Sequence, residues 1–318
     1  MTTTPAQLPQ QPSGPRHDAS ADAAIEAMAN LGAPDRATPS GVPAGYRPGH
    51  TLTVRVELMR QLRRRRTQFS LGFMVLLPLI LLVAFSFGSN NSGGTTSSFV
   101  DLAKAGAANF AIVSLFFSAS FLLIVVISLF FGDTIASEAS WSSLRYLLAM
   151  PVPRRRLLRQ KILVAWLLAL ASLIILPATA YVVGLIAYGT GPLSTPIGDE
   201  FSTGAGVLRV LLVVAYLAIQ LTWVAGLAFL LSVLTDAPLG AVGGAVLLSI
   251  VSQILDQITA LGGIRNWLPT HYSLAWTGAL ASPVRWDDMI RGAFSGLAYA
   301  VVLVALAVLR FRRKDITS

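Results

Sequence analysis

Residues Phe69–Phe87 read F-S-L-G-F-M-V-L-L-P-L-I-L-L-V-A-F-S-F, an uncharged run that follows four consecutive arginines, Arg63–Arg66. About 20 apolar residues in a helix cross the hydrocarbon of a bilayer. Inside lipid the backbone must satisfy its own hydrogen bonds, so this run predicts a spanning helix. Pro78 is expected to bend it. Five further runs of the same kind follow, at about 110–131, 162–188, 207–234, 238–255 and 289–309. The spacing predicts an all-α, polytopic membrane protein with six spans.

The composition agrees, being 54% hydrophobic and only 12% charged. A net charge of +9 raises the question of nucleic acid. The basic residues gather at the ends of apolar runs, however, which is the habit of membrane-flanking segments. Nucleic acid is therefore not an expected partner. The chain has no cysteine, and its three histidines, His17, His50 and His271, are scattered. That excludes disulfides and thiolate metal sites, and leaves little for other metal chemistry.

Residues 1–48 hold eight of the seventeen prolines, among Ala, Ser, Thr and Gly. Such a segment buries too little apolar surface to order itself, and it predicts a disordered arm. No apolar run precedes residue 69, so a conventional signal peptide is not expected. The remainder, 49–318, is expected to be one membrane domain. It opens with T-L-T-V-R-V-E-L-M-R-Q-L-R-R-R-R over 51–66, where Leu52, Val56 and Met59 fall on one side. A basic amphipathic helix before a span predicts an interfacial, elbow-like element.

Lysine and arginine set the orientation. The ends of the spans on the N-terminal side carry seventeen of them, in 47–66, 145–161 and 310–314. The opposite side carries five: Lys104, Arg209, Arg265, Arg285 and Arg291. This asymmetry predicts a multi-pass protein of the cell membrane with both termini cytoplasmic.

Two segments between spans are polar but structured in pattern. Gln257–Asp288 is too polar to cross, yet holds Trp267, Tyr272, Trp276 and Trp286. It reads either as an outer loop resting its aromatics at the interface or as two re-entrant half-helices broken at Gly262-Gly263 and Pro269. The other segment is E-A-S-W-S-S-L-R-Y-L-L-A-M-P-V-P-R-R-R-L-L-R-Q-K, Glu138–Lys161. Ser137 is placed to cap a helix over Glu138–Met150. Trp141, Leu144 and Leu148 then line one face, with Leu147 beside them, and Glu138, Ser142 and Arg145 line another. Pro151 and Pro153 end the helix. A lipid-surface role for the apolar stripe, with the arginines snorkelling, is the simpler reading.

No catalytic constellation is visible. None of the three lysines follows a glycine, so the phosphate-binding G-K-[ST] core is absent. Asp133 and Asp256 lie at the ends of their spans, and no charge falls at mid-membrane, which counts against an ion-driven pump. No acid and base are expected to face each other within the spans, which counts against an intramembrane enzyme.

The Glu138–Lys161 segment resembles the stretch between the second and third spans of bacterial ABC-type exporter permeases. The usual form there is a Glu, Gly-Thr-Leu, a Leu-Leu pair, Pro-Val-Ser-Arg and a distant Lys. Here Ser142-Ser143 and Pro153 depart from it. The basic ending F-R-R-K-D-I, Phe311–Ile316, and the loop L-P-T-H-Y-S-L-A-W, Leu268–Trp276, are also similar. The likeness covers about 51–318 and leaves out the tail.

The resemblance implies a type V exporter fold, in which two permease copies, identical or different, each dock on a separate ABC ATPase subunit. This chain would bind no cofactor, and ATP and Mg would sit on the partner. Glu138, Trp141, Leu144, Arg145, Leu147, Leu148 and Pro151 would form the ATPase-coupling segment. Trp267, Pro269, His271, Tyr272 and Trp276 would belong to an outer gate. Gly240 and Gly244, spaced for close helix approach, are candidates for dimer packing or for packing within one protomer. The expected function is outward transport of a hydrophobic or amphipathic substrate, such as a drug or antibiotic. The alternative is an ATP-independent scaffold that binds lipid or another partner through its basic helix.

Overall fold

The computed structural model describes residues 54–87, 99–140, 154–195 and 199–312. The tail at 1–48, the stretch at 88–98 and the proposed coupling residues Trp141, Leu144, Arg145, Leu147, Leu148 and Pro151 lie outside them.

A short helix, α1 (Val54–Leu62), turns at Arg63-Arg64 into α2 (Arg65–Phe87). Then come α3 (Phe99–Lys104), α4 (Ala107–Ala119), α5 (Leu122–Ser140) and α6 (Arg154–Tyr188). A two-residue antiparallel pair, β1 (Leu193–Ser194) with β2 (Glu200–Phe201), precedes α7 (Thr203–Gln220) and α8 (Thr222–Leu234). α9 (Pro238–Gln257) and α10 (Asp287–Arg312) follow. Among the described residues, six stretches are long and apolar enough to cross a membrane: α2, α5, α6, the α7–α8 pair, α9 and α10. This is a multi-pass membrane protein.

The second span corrects the sequence reading. The run at 110–131 is not one helix, since it breaks at Ser120-Phe121 and the spanning helix α5 continues to Ser140. Hydropathy falls after Phe131, but the polar residues there are satisfied inside the protein. The Thr134 hydroxyl donates to Phe131 O at 2.6 Å and Ser137 to Asp133 O at 2.6 Å. Ser137 is thus inside a helix and does not cap one. Ala237 precedes α9, with Pro238 in its first turn. The Ala237 N–H is taken by the Thr235 hydroxyl at 3.1 Å. The strand pair had no sequence signal. Asn109 of α4 holds it by bonding both ways with the Ser194 backbone, at 2.6 and 3.0 Å.

Burial orders the helices. α5 is central, with 78% of its spanning window buried, whereas α2, α9 and α10 are peripheral at 17%, 22% and 17%. α5 packs against α6, α8 and α9, α2 packs on α6, and α10 closes against α7 and α8. Phe110, Leu115, Leu123, Ile135, Leu217 and Phe229 form the heart of the core. α10 approaches its neighbours through glycines. A Cβ on Gly292 would lie 2.1 Å from Tyr216 Oη, and one on Gly296 would lie 2.6 Å from Gln220 O.

The breaks at Ser120-Phe121 and at Leu221 are each met by a side-chain donor. Gln253 of α9 donates to Ser120 O at 2.9 Å, where the α4–α5 ladder is interrupted. At Leu221, Thr222 donates to Ile219 O at 2.6 Å, while Gln220 reaches Pro269 O at 3.2 Å. In a medium without water, a freed carbonyl needs such a partner.

Candidate functional site

At the basic end, α1, the end of α5 and the start of α6 are joined by charge. The Lys161 ammonium lies 2.7 Å from Glu138 Oε1 and 3.4 Å from Glu57 Oε1, and all three side chains are 2% exposed. Arg60 lies over the same carboxylates, 2.9 Å from Glu57 and 2.5 Å from Glu138. Two carboxylates, one ammonium and one guanidinium balance, which is what lets such charges be buried. Burial by itself would push the Glu57 carboxyl up, but the Arg60 hydrogen bond and the Lys161 charge outweigh it. They hold it below its usual 4.5. For Arg60, burial works downward and is overcome by the two carboxylates, leaving the guanidinium more firmly protonated than usual.

A second cluster adjoins it. Asp133 takes Arg64 on one oxygen at 2.8 Å and Arg66 on the other at 2.5 Å. Arg60, Arg64 and Arg66 are thus paired with buried or nearly buried carboxylates, although Arg60 and Arg66 are themselves about half exposed. Both clusters lie beyond the ends of the apolar runs read from the sequence, although Asp133, Glu138 and Lys161 belong to the long helices that continue those runs. Lys161 looked like a flanking residue because a lone lysine beside arginines usually snorkels. Its partner Glu57 gave a weak signal, as the single acid in a basic helix.

Of the proposed coupling residues, Glu138 alone lies among the described ones. It is buried at the edge of that segment, bonded to Arg60 and Lys161.

At the opposite end, 257–286 forms a cap containing short 3-10 helices, Thr259–Trp267 and Ala275–Leu280. Gly262 sits at φ 53° and ψ −132°, which favours glycine. The helices fasten the cap through its carbonyls. Tyr216 donates to Tyr272 O at 2.7 Å, Tyr299 to Trp267 O at 2.5 Å, and Arg209 to Ala279 O and Ala281 O. Side chains add Ser252 with Thr270 at 2.7 Å and Asp256 with His271 Nδ1 at 2.6 Å. The aromatics divide. Trp276 is 1% exposed and part of the core, while Trp267 at 76% and Trp286 at 50% face outward. Pro269, His271 and Tyr272 are half-buried. A cleft of about 320 Å³ at this end is lined by His271, Tyr272, Arg285, Asp287 and Asp288 among others.

Gly244 lies against α8, with Leu231 Cδ1 3.2 Å from where its Cβ would be, and Gly240 faces Ala237 and Thr235 of its own turn. Neither geometry needs a second copy. Among the described residues, no three acidic or histidine side chains converge as a metal site.

A family model described as "Protein of unknown function (DUF2705)" matches residues 73–317. The chain belongs to this family. No curated protein matches it. The matched region takes in Asp133, Glu138, Lys161 and the whole cap, and leaves α1 and its arginines outside.

Proposed function

We propose that the chain is the membrane permease subunit of an ABC exporter, moving a hydrophobic or amphipathic substrate outward with energy from a separate ATPase. The observation that carries this reading is the ionic joint of Glu57, Arg60, Glu138 and Lys161. It ties three elements together on either side of 141–153, the segment that resembles the exporters' coupling helix. A force applied to that segment would act on α1, α5 and α6 at once. In this reading α1 is the elbow, and the cap is a re-entrant outer gate. The basic end faces the cytoplasm, with both termini there. The peripheral faces of α2 and α9, poorly buried within one chain, suit pairing of two permease copies.

The test uses Leu144→Asp and Trp141→Ala. Buried anchors in an interface are each worth about 2 kcal/mol or more, roughly thirtyfold in affinity. Both variants should insert normally, yet lose the co-purifying ATPase and export. Retained binding and export in both would defeat the assignment. The second reading, a scaffold without ATP, expects no ATPase to co-purify even with the unaltered chain.

A further inference from the structure

The arginines of α1 and the start of α2 fall into two sets. Arg60, Arg64 and Arg66 are committed to Glu57, Glu138 and Asp133. Arg55, Arg63 and Arg65 are exposed, as Arg60 and Arg66 are in part, and what sets them apart is that no carboxylate among the described residues pairs with them. The exposed set does not stand on a polar face. Val56 is 64% exposed, Met59 48% and Phe69 76%, so the exposed part of α1 and the start of α2 carries apolar side chains beside these arginines. Leu58, Leu62 and Glu57 fill the inward side.

We infer that this outward face, Arg55, Val56, Met59, Arg63, Arg65 and Phe69, is a binding surface for anionic phospholipid. The apolar side chains enter the acyl region while the three guanidiniums take headgroup phosphates. The position supports it, because α1 leads directly into a span, and a basic amphipathic helix there lies at the headgroup boundary. Charge complementarity selects the occupant. A water-facing surface would not need Val56, Met59 and Phe69, and a zwitterionic surface would not answer three unpaired positive charges. Guanidinium is suited to phosphate because it presents paired donors in one plane.

Each basic residue near an anionic membrane surface is worth about fivefold in binding. The test gives the purified, delipidated full chain equimolar phosphatidylglycerol and phosphatidylcholine in detergent, and reads the retained lipid by native mass spectrometry. The unaltered chain should prefer phosphatidylglycerol, less so as salt is raised. R55Q/R63Q/R65Q should lower that preference by up to a factor on the order of a hundred with the thermal midpoint unchanged. R60Q should do the reverse, lowering the midpoint and sparing the preference. A triple variant that keeps its lipid preference overturns the proposal. So does an R60Q variant that loses it equally, since the division into paired and unpaired arginines would then be wrong. A triple variant that retains the lipid preference but loses a co-purifying protein would assign the face to that protein. The measurement uses this chain alone, so it is independent of whether an ATPase partner exists.

Discussion

Glu138 and Lys161, 23 positions apart, meet at 2.7 Å across the base of the segment that separates α5 from α6. The pair pinches that segment at its root, and Glu57 and Arg60 lock it from the side of α1. A segment with a fixed base transmits displacement, whereas one on loose ends absorbs it.

Lys161→Met should destabilise the protein strongly. Removing one partner of a buried ion pair costs about 3–5 kcal/mol, because the other charge is left without compensation. K161M/E138Q should recover much of the loss, since Glu57 keeps Arg60. Thermal unfolding in detergent measures both. An unchanged midpoint in K161M would mean that Lys161 is solvated.

Acid should weaken the same joint with a defined sign. The folded state holds Glu57 below 4.5, so the unfolded chain binds the proton more readily. The stability contributed by Glu57 is therefore complete above 4.5 and is lost as pH falls through the lower folded value. Thermal midpoints across an acid series should decline there in the unaltered chain. E57Q should start lower and decline less. Parallel curves for the two proteins would refute the assignment.

Gln253→Leu should cost about 1 kcal/mol, the net worth of a typical hydrogen bond, since the part-buried Ser120 carbonyl loses its side-chain donor. Its neighbour Ile254 is 58% exposed, so Ile254→Leu is the control and should leave the midpoint in place. Equal effects at both positions would show that the amide does not hold the bend.

Orientation is testable in a chain without cysteine. An impermeant thiol reagent applied to intact cells should label S97C and S282C but spare S318C. Labelling of S318C alone would invert the topology.

Six spans were legible because lipid imposes one requirement, a long uncharged run, and that requirement is written residue by residue. The break at Ser120-Phe121 was not legible, since neither residue is Gly or Pro and the partner Gln253 is 133 positions away. The same holds for the ionic joint. Lys161 is one more basic flank in sequence, and only the fold brings Glu57 to it from 104 positions upstream. In the cap, Gly262 could be read as a break from its type. That Trp276 goes inward while Trp267 goes outward depends on α4, whose Phe116 ring stacks edgewise near Trp276 at 6.3 Å.

The glycine contacts of α10 bear on mutational tolerance. At Gly292 and Gly296 the nearest atoms stand where a methyl group would have to be, and at Gly296 that atom is backbone and cannot swing away. Gly72, Gly204 and Gly243 have open space around them. In a library substituted at every position, the first two sites should survive almost only as glycine. The other three should accept alanine, serine and larger residues freely. Composition treats all five alike, so a count of permitted residues at each would trace the α10 contact from phenotype alone.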